Sequence, residues 1–422
     1  MSENKENYIK RQIFTELKAH LNKPEISMII GARQTGKTTL MLQLQDYLIS
    51  KGKKTLFLNL DFEDDKRFFL NQSALLEKIR LELGEQKGFI FIDEIQRKED
   101  AGLFLKGIYD KRLPYKLVVS GSGSLELKEK IHESLAGRKR LFEVEPVSFI
   151  EFANYRISYA YEDKLLEFAK LHQNRIDDLL IEYMLFGGYP RLVIETERSE
   201  KQKIIAEIFQ SYLEKDITYL LKVAKPDDFS SLVKVLASQI GQLINYSELA
   251  NTLGISQPTI KQYIWYLEKT FIIQRITPFF RNTRKEIIKA PVVYFHDLGL
   301  RNYILGLYGK LTEQNLGLVF QNLVWQIIQA KIRESEANLH FWRTKDKAEV
   351  DFVVETGQGL IPIEVKYRDF KKPELGKSFR NFLEKYKPTQ AYIVTRNYQF
   401  KVKHNQSTVN FIPFYHLVGM RL

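Results

Sequence analysis

Three groups of residues in this chain have types and spacings that suit chemistry. The first is Gly31-Ala32-Arg33-Gln34-Thr35-Gly36-Lys37-Thr38, with Thr39 directly after it. It reads G-x-x-x-x-G-K-[ST], in which the glycines let the backbone curl until successive N–H groups face phosphate oxygens. Lys37 is expected to reach the β- and γ-phosphates of ATP, and the Thr38 hydroxyl to ligate Mg²⁺. The second group is Asp93-Glu94, at the end of the apolar run Phe89 to Ile92. There Asp93 is expected to hold Mg²⁺ through water, and Glu94 to polarise the attacking water. The third is Asp351, Glu364 and Lys366 within AEVDFVVETGQGLIPIEVKYR. Carboxylates that hold Mg²⁺, beside a lysine that orients water, are the set phosphodiester hydrolysis needs.

Each group implies elements that position it. An apolar run at Met28 to Ile30 precedes the glycine-rich loop and an apolar-periodic helix follows, the strand-loop-helix setting such a loop requires. Further strands read at Thr55 to Leu60, Lys116 to Val119 and Leu141 to Val144, with helical stretches between. Strand alternating with helix predicts a parallel sheet covered on both faces. SGSGS (Ser120 to Ser124) follows the Lys116 run at the edge where such a sheet binds ligands. Either Ser120 or Ser122 orients water against the γ-phosphate, or these small residues only make the turn. In SLAGRKR, Arg138 is either a cation for transition-state charge, in its own chain or a neighbouring subunit, or a solvated arginine.

GARQTGKT, FIFIDEIQ, GSGS, SLAGR and PVSFIEF (Pro146 to Phe152) together resemble prokaryotic AAA+-like ATPases of the archaeal-ATPase branch. The resemblance implies a five-stranded core with an extra strand between the P-loop strand and the Asp-Glu strand, and it favours a role for Arg138. It continues through the turn Gly187-Gly188-Tyr189-Pro190-Arg191 and through Tyr212 to Ile217. It also implies a C-terminal domain like the PD-(D/E)xK nucleases. In that family the first helix of this domain shows Glu-Asn, where this chain has Gln321-Asn322. An amide cannot neutralise metal charge, so metal binding there is expected to weaken.

Between these parts, Phe149 to Leu221 shows apolar residues at helical spacing and no strand signal, which predicts a helical lid. Arg191 within it either senses the γ-phosphate or faces solvent. YSELANTLGISQPTIKQYIWYLEK (246 to 269) reads as two helices joined by a tight turn, with Ser256 as cap and Pro258 in the first turn of the second. Ile260, Ile264 and Leu267 fall on one face, leaving Gln257, Thr259, Lys261 and Gln262 outward for base edges or phosphates. Two strand-like runs follow around a basic turn with Arg281, Arg284 and Lys285, which completes a winged helix with a cationic wing. Winged helices also serve as protein-packing modules. The last 110 residues read as helix, three strands, helix and strand, in which Glu364 and Lys366 share a face and Asp351 lies on the preceding strand. Three readings stand for that hairpin: a nuclease, a non-cleaving nucleic-acid clamp, or a structural hairpin.

Lys and Arg number 64 against 52 Asp and Glu, a net charge of +12 that favours an acidic partner. There is no cysteine, and the seven histidines lack ligand spacing, which excludes disulfides and a zinc site. No stretch reaches the roughly 18 apolar residues of a membrane span, so no membrane and a cytoplasmic location are expected. The expected architecture is α/β: a P-loop AAA+-like parallel-sheet ATPase domain over 1–148, a helical lid over 149–224, a winged helix over 225–308, and an α/β nuclease-like domain over 309–422. The expected function is Mg²⁺-dependent ATP hydrolysis that controls engagement of duplex or branched DNA, with self-association possible. The alternative is a nucleotide-dependent switch that binds protein partners, its C-terminal domain non-catalytic.

Overall fold

The computed structural model describes residues 8–122, 134–213, 217, 225–280, 290–333 and 335–420. The chain is a mixed α/β protein with two principal sheets. The first holds β1 (Ile26–Gly31), β2 (Thr55–Asn59), β3 (Gly88–Asp93), β4 (Tyr115–Ser122) and β5 (Lys139–Glu143) in the order β2-β3-β4-β1-β5. All its pairings are parallel, and β4 lies between the loop strand β1 and the Asp-Glu strand β3, as the resemblance implies. Strand alternation sorts the side chains onto two cores. Ile29, Phe89, Phe91, Val118 and Phe142 face the helices Ile13–His20 and Lys37–Ser50. Met28, Ile30, Ile90, Ile92, Leu117 and Val119 face the helices Gln72–Leu83 and Ala101–Tyr109.

A helical section follows. The Phe149–Arg156 helix opens on a capping box, in which Ser148 and Glu151 each bond the other's backbone N–H. Helices Gln173–Phe186, Pro190–Ile194 and Arg198–Ser211 come next. Helices Pro226–Ser238, Tyr246–Leu253 and Gln257–Lys269 then lead into the antiparallel pair β6 (Ile273–Ile276) and β7 (Val292–Phe295). The predicted inward residues Ile260, Ile264 and Leu267 are buried.

The second sheet is mixed: β8 (Asn338–Arg343), β9 (Glu349–Thr356), β10 (Gly359–Lys366), β11 (Gln390–Thr395), β12 (Phe400–His404) and β13 (Ser407–Pro413), ordered β12-β13-β11-β10-β9-β8. The Glu313–Ile332 helix packs on one face, and Lys377–Tyr386 on the other through Phe379, Phe382 and Leu383. The expected order ends at β11. The hairpin β12–β13 and the Phe414–Gly419 helix were not anticipated: FKVKH sets only Phe400 and Val402 against its lysines, too short an alternation to read as a strand. β4 also runs farther than expected, through Ser122, so Ser120 and Ser122 belong to the strand and do not form a turn. The largest apolar cluster gathers Ile9, Val147, Phe149, Leu179, Trp325, Phe352 and Leu417, residues from both ends of the chain. Among the described residues no helix is long and apolar enough to cross a membrane.

Candidate functional site

The loop Gly31 to Thr38 sits at the C-terminal end of β1. Gly31 must be glycine because a Cβ there would stand 2.3 Å from the Val144 carbonyl oxygen. Gly36 is left-handed (φ 92°) and releases the chain into the Lys37–Ser50 helix. Lys37 Nζ donates to the carbonyls of Ala32 (2.7 Å) and Gly31 (3.1 Å), so its ammonium is folded over the loop. Thr38 Oγ1 donates to Asp93 Oδ2 at 2.7 Å, across 55 residues of sequence. Asp93 is buried, and its Oδ1 accepts from Ser120 Oγ and from the Glu94 N–H. Glu94 takes a left-handed backbone (φ 56°) that opens the short turn Ile95–Arg97. Burial, opposed mainly by Lys37, raises the Glu94 carboxyl above its ordinary range. Gln96, to which the sequence assigned no role, donates to Glu94 Oε2 and accepts from the Ser122 N–H. Ser122 Oγ is buried without a hydrogen-bond partner among the described residues. Loop, hydroxyl, carboxylate pair and serine thus converge at one end of the sheet, with Ser120 engaged on Asp93. An exposed Thr38 hydroxyl paired with a carboxylate, beside a lysine held over bare loop backbone, is a donor set that fits a magnesium-bound triphosphate.

Two arginines brace the loop from outside it. Arg11 is nearly buried; its guanidinium donates to the carbonyls of Thr35 (3.0 Å) and Glu145 (2.6 Å) and to Glu151 Oε2 (3.2 Å). Arg191 Nη1 lies 3.4 Å from Gln34 Oε1 and 3.2 Å from Glu207. The turn that carries Arg191 is fixed at Gly188, whose N–H donates to Asp297 Oδ2 (2.7 Å) and whose carbonyl accepts from the Val147 N–H (2.7 Å). Neither Arg11 nor Asp297 was singled out from sequence. Next to Asp297, His296 Nδ1 meets Glu145 Oε2 at 2.7 Å, and Arg333 also binds that carboxylate. Burial works against charge on Glu145, but the pull of His296 and Arg333 outweighs it and holds the carboxyl low.

Arg138 stands elsewhere. It pairs with Asp110 at 2.7 Å, just before β5 begins opposite Ile26. At about 3.3 Å per residue, six strand positions put it roughly 20 Å from the level of Gly31. It does not join the nucleotide-facing cluster of its own chain.

In the Gln257–Lys269 helix, Gln257, Lys261 and Gln262 are exposed and Thr259 is half-buried. Ser256 caps the helix through the Thr259 N–H. Lys261 lies over the Tyr246 ring, 5.5 Å from its centre, and Gln262 donates to Tyr266. Arg281, Arg284 and Lys285 lie outside the described residues.

The C-terminal trio assembles, but as a hydrogen-bonded cluster. Lys366 pairs with Glu364 at 2.7 Å, on the shared face expected of alternate strand residues. Asp351 Oδ2 accepts from the Val365 N–H (2.7 Å), and Oδ1 accepts from Gln321 Nε2 (3.0 Å). The same Gln321 amide reaches the Tyr294 hydroxyl of β7 at 3.0 Å. Burial, reinforced by Glu364, raises the Asp351 carboxyl well above its ordinary range. Both oxygens of Asp351 are engaged by donors, while Glu364 Oε2 is buried without a hydrogen-bond partner among the described residues. Among the described residues no group of three or more His, Asp or Glu side chains is placed to hold a metal ion.

Residues 23–153 match a family model described as AAA domain. Residues 177–311 and 316–417 match two families described as domains of unknown function, DUF8612 and DUF4143. An uncharacterized protein of Mycobacterium tuberculosis is 26% identical over 378 residues, spanning 89% of this chain and 77% of that one. An uncharacterized protein of Haemophilus influenzae is 27% identical over 358 residues, spanning 81% and 82%. Among solved structures, Cdc6p from Pyrobaculum aerophilum aligns over 71% of this chain and 95% of its own, at 11% identity and a TM-score of 0.30. The replication initiator DnaA bound to AMPPCP and single-stranded DNA aligns over 63% and 91%, at 15% identity and a TM-score of 0.31. The AAA match covers the loop and the Asp93-Glu94 strand, and it supports a P-loop ATPase.

Proposed function

We propose that the chain hydrolyses ATP with Mg²⁺ and that its nucleotide state controls engagement of DNA by the parts that follow the ATPase core. The observation that carries the first half is the Thr38–Asp93 pair at the mouth of the loop, with the Glu94 N–H donating to Asp93 Oδ1 and Gln96 donating to the Glu94 carboxylate. The cation would be held by Thr38 and Asp93 and would spread the charge of the phosphates. The loop N–H groups and Lys37 bind the phosphate oxygens. Glu94 accepts a proton from the attacking water at its carboxylate, which Gln96 orients, and burial raises its basicity toward that task. Ser122, with its free buried hydroxyl, hydrogen-bonds that water or the γ-phosphate. Arg191 approaches from the lid, and Arg138, at the far edge of the sheet, serves a neighbouring copy.

Residues 1–148 form the ATPase core in this proposal, 149–224 the lid, 225–308 a winged helix and 309–422 a nuclease-like unit without a metal. DNA as partner is supported by the net charge of +12 and by Gln257, Lys261 and Gln262 standing exposed on a capped helix. Lys37→Ala is expected to abolish nucleotide binding measured with a fluorescent ATP analogue, and unchanged affinity would remove the site. Binding to duplex and branched DNA, titrated against salt, is expected to weaken steeply, because each phosphate contact releases counterions. The second reading is a nucleotide-dependent switch for a protein partner. Lys261 favours it: that cation already lies over Tyr246. DNA binding that is absent or insensitive to salt would select the switch.

A further inference from the structure

His296 and Asp297 follow β7 and bring the second half of the chain against the nucleotide-facing end of the first sheet. Asp297 Oδ1 caps the Leu298–Ile304 helix through the Leu300 N–H (2.7 Å), while Oδ2 takes the Gly188 N–H (2.7 Å). The contact around it is backbone against backbone. A Cβ on Gly187 would lie 2.4 Å from Asp297 Oδ1, one on Gly299 2.0 Å from the Phe186 carbonyl oxygen, and one on Gly188 2.1 Å from that of Val147. Gly188 is therefore clamped on both its polar groups. Two residues on, Pro190 occupies the first turn of the Pro190–Ile194 helix with its φ locked by the ring, and its Cγ lies 3.7 Å from a Cβ position on Gly36. Arg191 then meets Gln34 of the loop. With so few free dihedrals between Gly188 and Arg191, the pose of the first sets that of the second.

We propose that Asp297 is a positioning residue for the ATP reaction: by holding Gly188 it sets Pro190 and Arg191 against the phosphate loop, so that the second half of the chain completes the nucleotide site. The inference rests on the ATP-hydrolysis reading above. A carboxylate suits the post because it accepts from Gly188, Gly299 and Leu300 together. An asparagine of the same shape offers one acceptor and turns an NH₂ toward a backbone donor.

The test is a double-mutant cycle on the full chain, with steady-state ATP hydrolysis as the readout. Asp297→Asn and Arg191→Ala are each expected to lower kcat/KM about tenfold, mostly through KM, by loss of a binding contact. The double variant is expected to lose no more than either single one, since both remove the same contact. A double loss of about a hundredfold means that the two residues act independently and overturns the inference, as do unaltered single variants. Should Asp297→Asn not fold, the wild-type protein still answers. Hydrogen exchange with and without a non-hydrolysable Mg²⁺–ATP analogue is expected to show protection over 187–194 and over 297–300 together, and protection of the loop alone overturns the inference. Wild-type protein without Lys37-dependent hydrolysis refutes the ATP reading itself; Lys37-dependent hydrolysis with multiplicative losses refutes only Asp297.

Discussion

At the scale of single residues, one side-chain amide decides what the C-terminal cluster is. Gln321 donates to Asp351 and to Tyr294, at the helix position where the resemblance implies a carboxylate. Gln321→Glu is expected to reverse this. Without metal, the new charge beside Asp351 and Glu364 lowers the melting temperature by several degrees through like-charge repulsion. Millimolar Mn²⁺ recovers the loss, since a ligand bound only by the folded state stabilises it. Wild-type protein is expected to show no Mn²⁺-dependent shift; a shift abolished by Asp351→Ala would restore the metal site. Glu94 is the corresponding residue in the first sheet. Glu94→Gln is expected to lower ATP turnover by a factor of about 10² to 10⁴ with nucleotide affinity unchanged, the usual share of a general base. Turnover within a factor of three of wild type would assign the proton transfer to another group.

At the scale of elements, what the sequence reveals depends on how far apart the partners lie. The strand, loop and helix around Lys37 are local, and so are the capped Gln257–Lys269 helix and the shared face of Glu364 and Lys366; each was legible from spacing. Arg11 and Asp297 were not, because their partners Thr35 and Gly188 lie 24 and 109 residues away. The signal for Asp297 was half present: an Asp directly after the apolar run VVYFH, with Leu-Gly following, reads as a helix cap, but nothing local names its second acceptor role. The lower edge of the first sheet carries a further consequence. His20 is buried against Ser27 and Lys116, and burial together with Lys116 lowers its pKa to about 4 from an ordinary 6.5. The folded state then holds fewer protons than the unfolded chain between those values. Stability that is complete above about pH 6.5 falls as the pH drops toward 4. His20→Gln is expected to remove about 2 kcal/mol of the loss on acidification from pH 7 to 4.5, read from urea unfolding. Equal losses in both proteins would show that His20 does not carry this sensitivity.

At the scale of the whole molecule, the position of Arg138 bears on assembly. Its partner within the chain is Asp110, at the end of the sheet opposite the phosphate loop. If Arg138 takes part in hydrolysis, it does so across an interface between copies. Neither Lys37→Ala nor Arg138→Ala alone is expected to turn over ATP above about a tenth of the wild-type rate. Mixed at concentrations where copies associate, the two are expected to regain activity, because some interfaces pair an intact loop with an intact arginine. No recovery in a mixture shown to assemble would remove Arg138 from the reaction.

The apolar cluster that holds both Ile9 and Leu417 brings the ends of the described chain side by side, and Tyr8, Lys10 and Arg11 line one groove with Tyr415, Val418 and Gly419. This sets rules for handling the protein. The exposed Gly357-Gln358 turn is the place where an inserted segment is expected to be tolerated. An affinity tag is better carried on the β9–β10 turn.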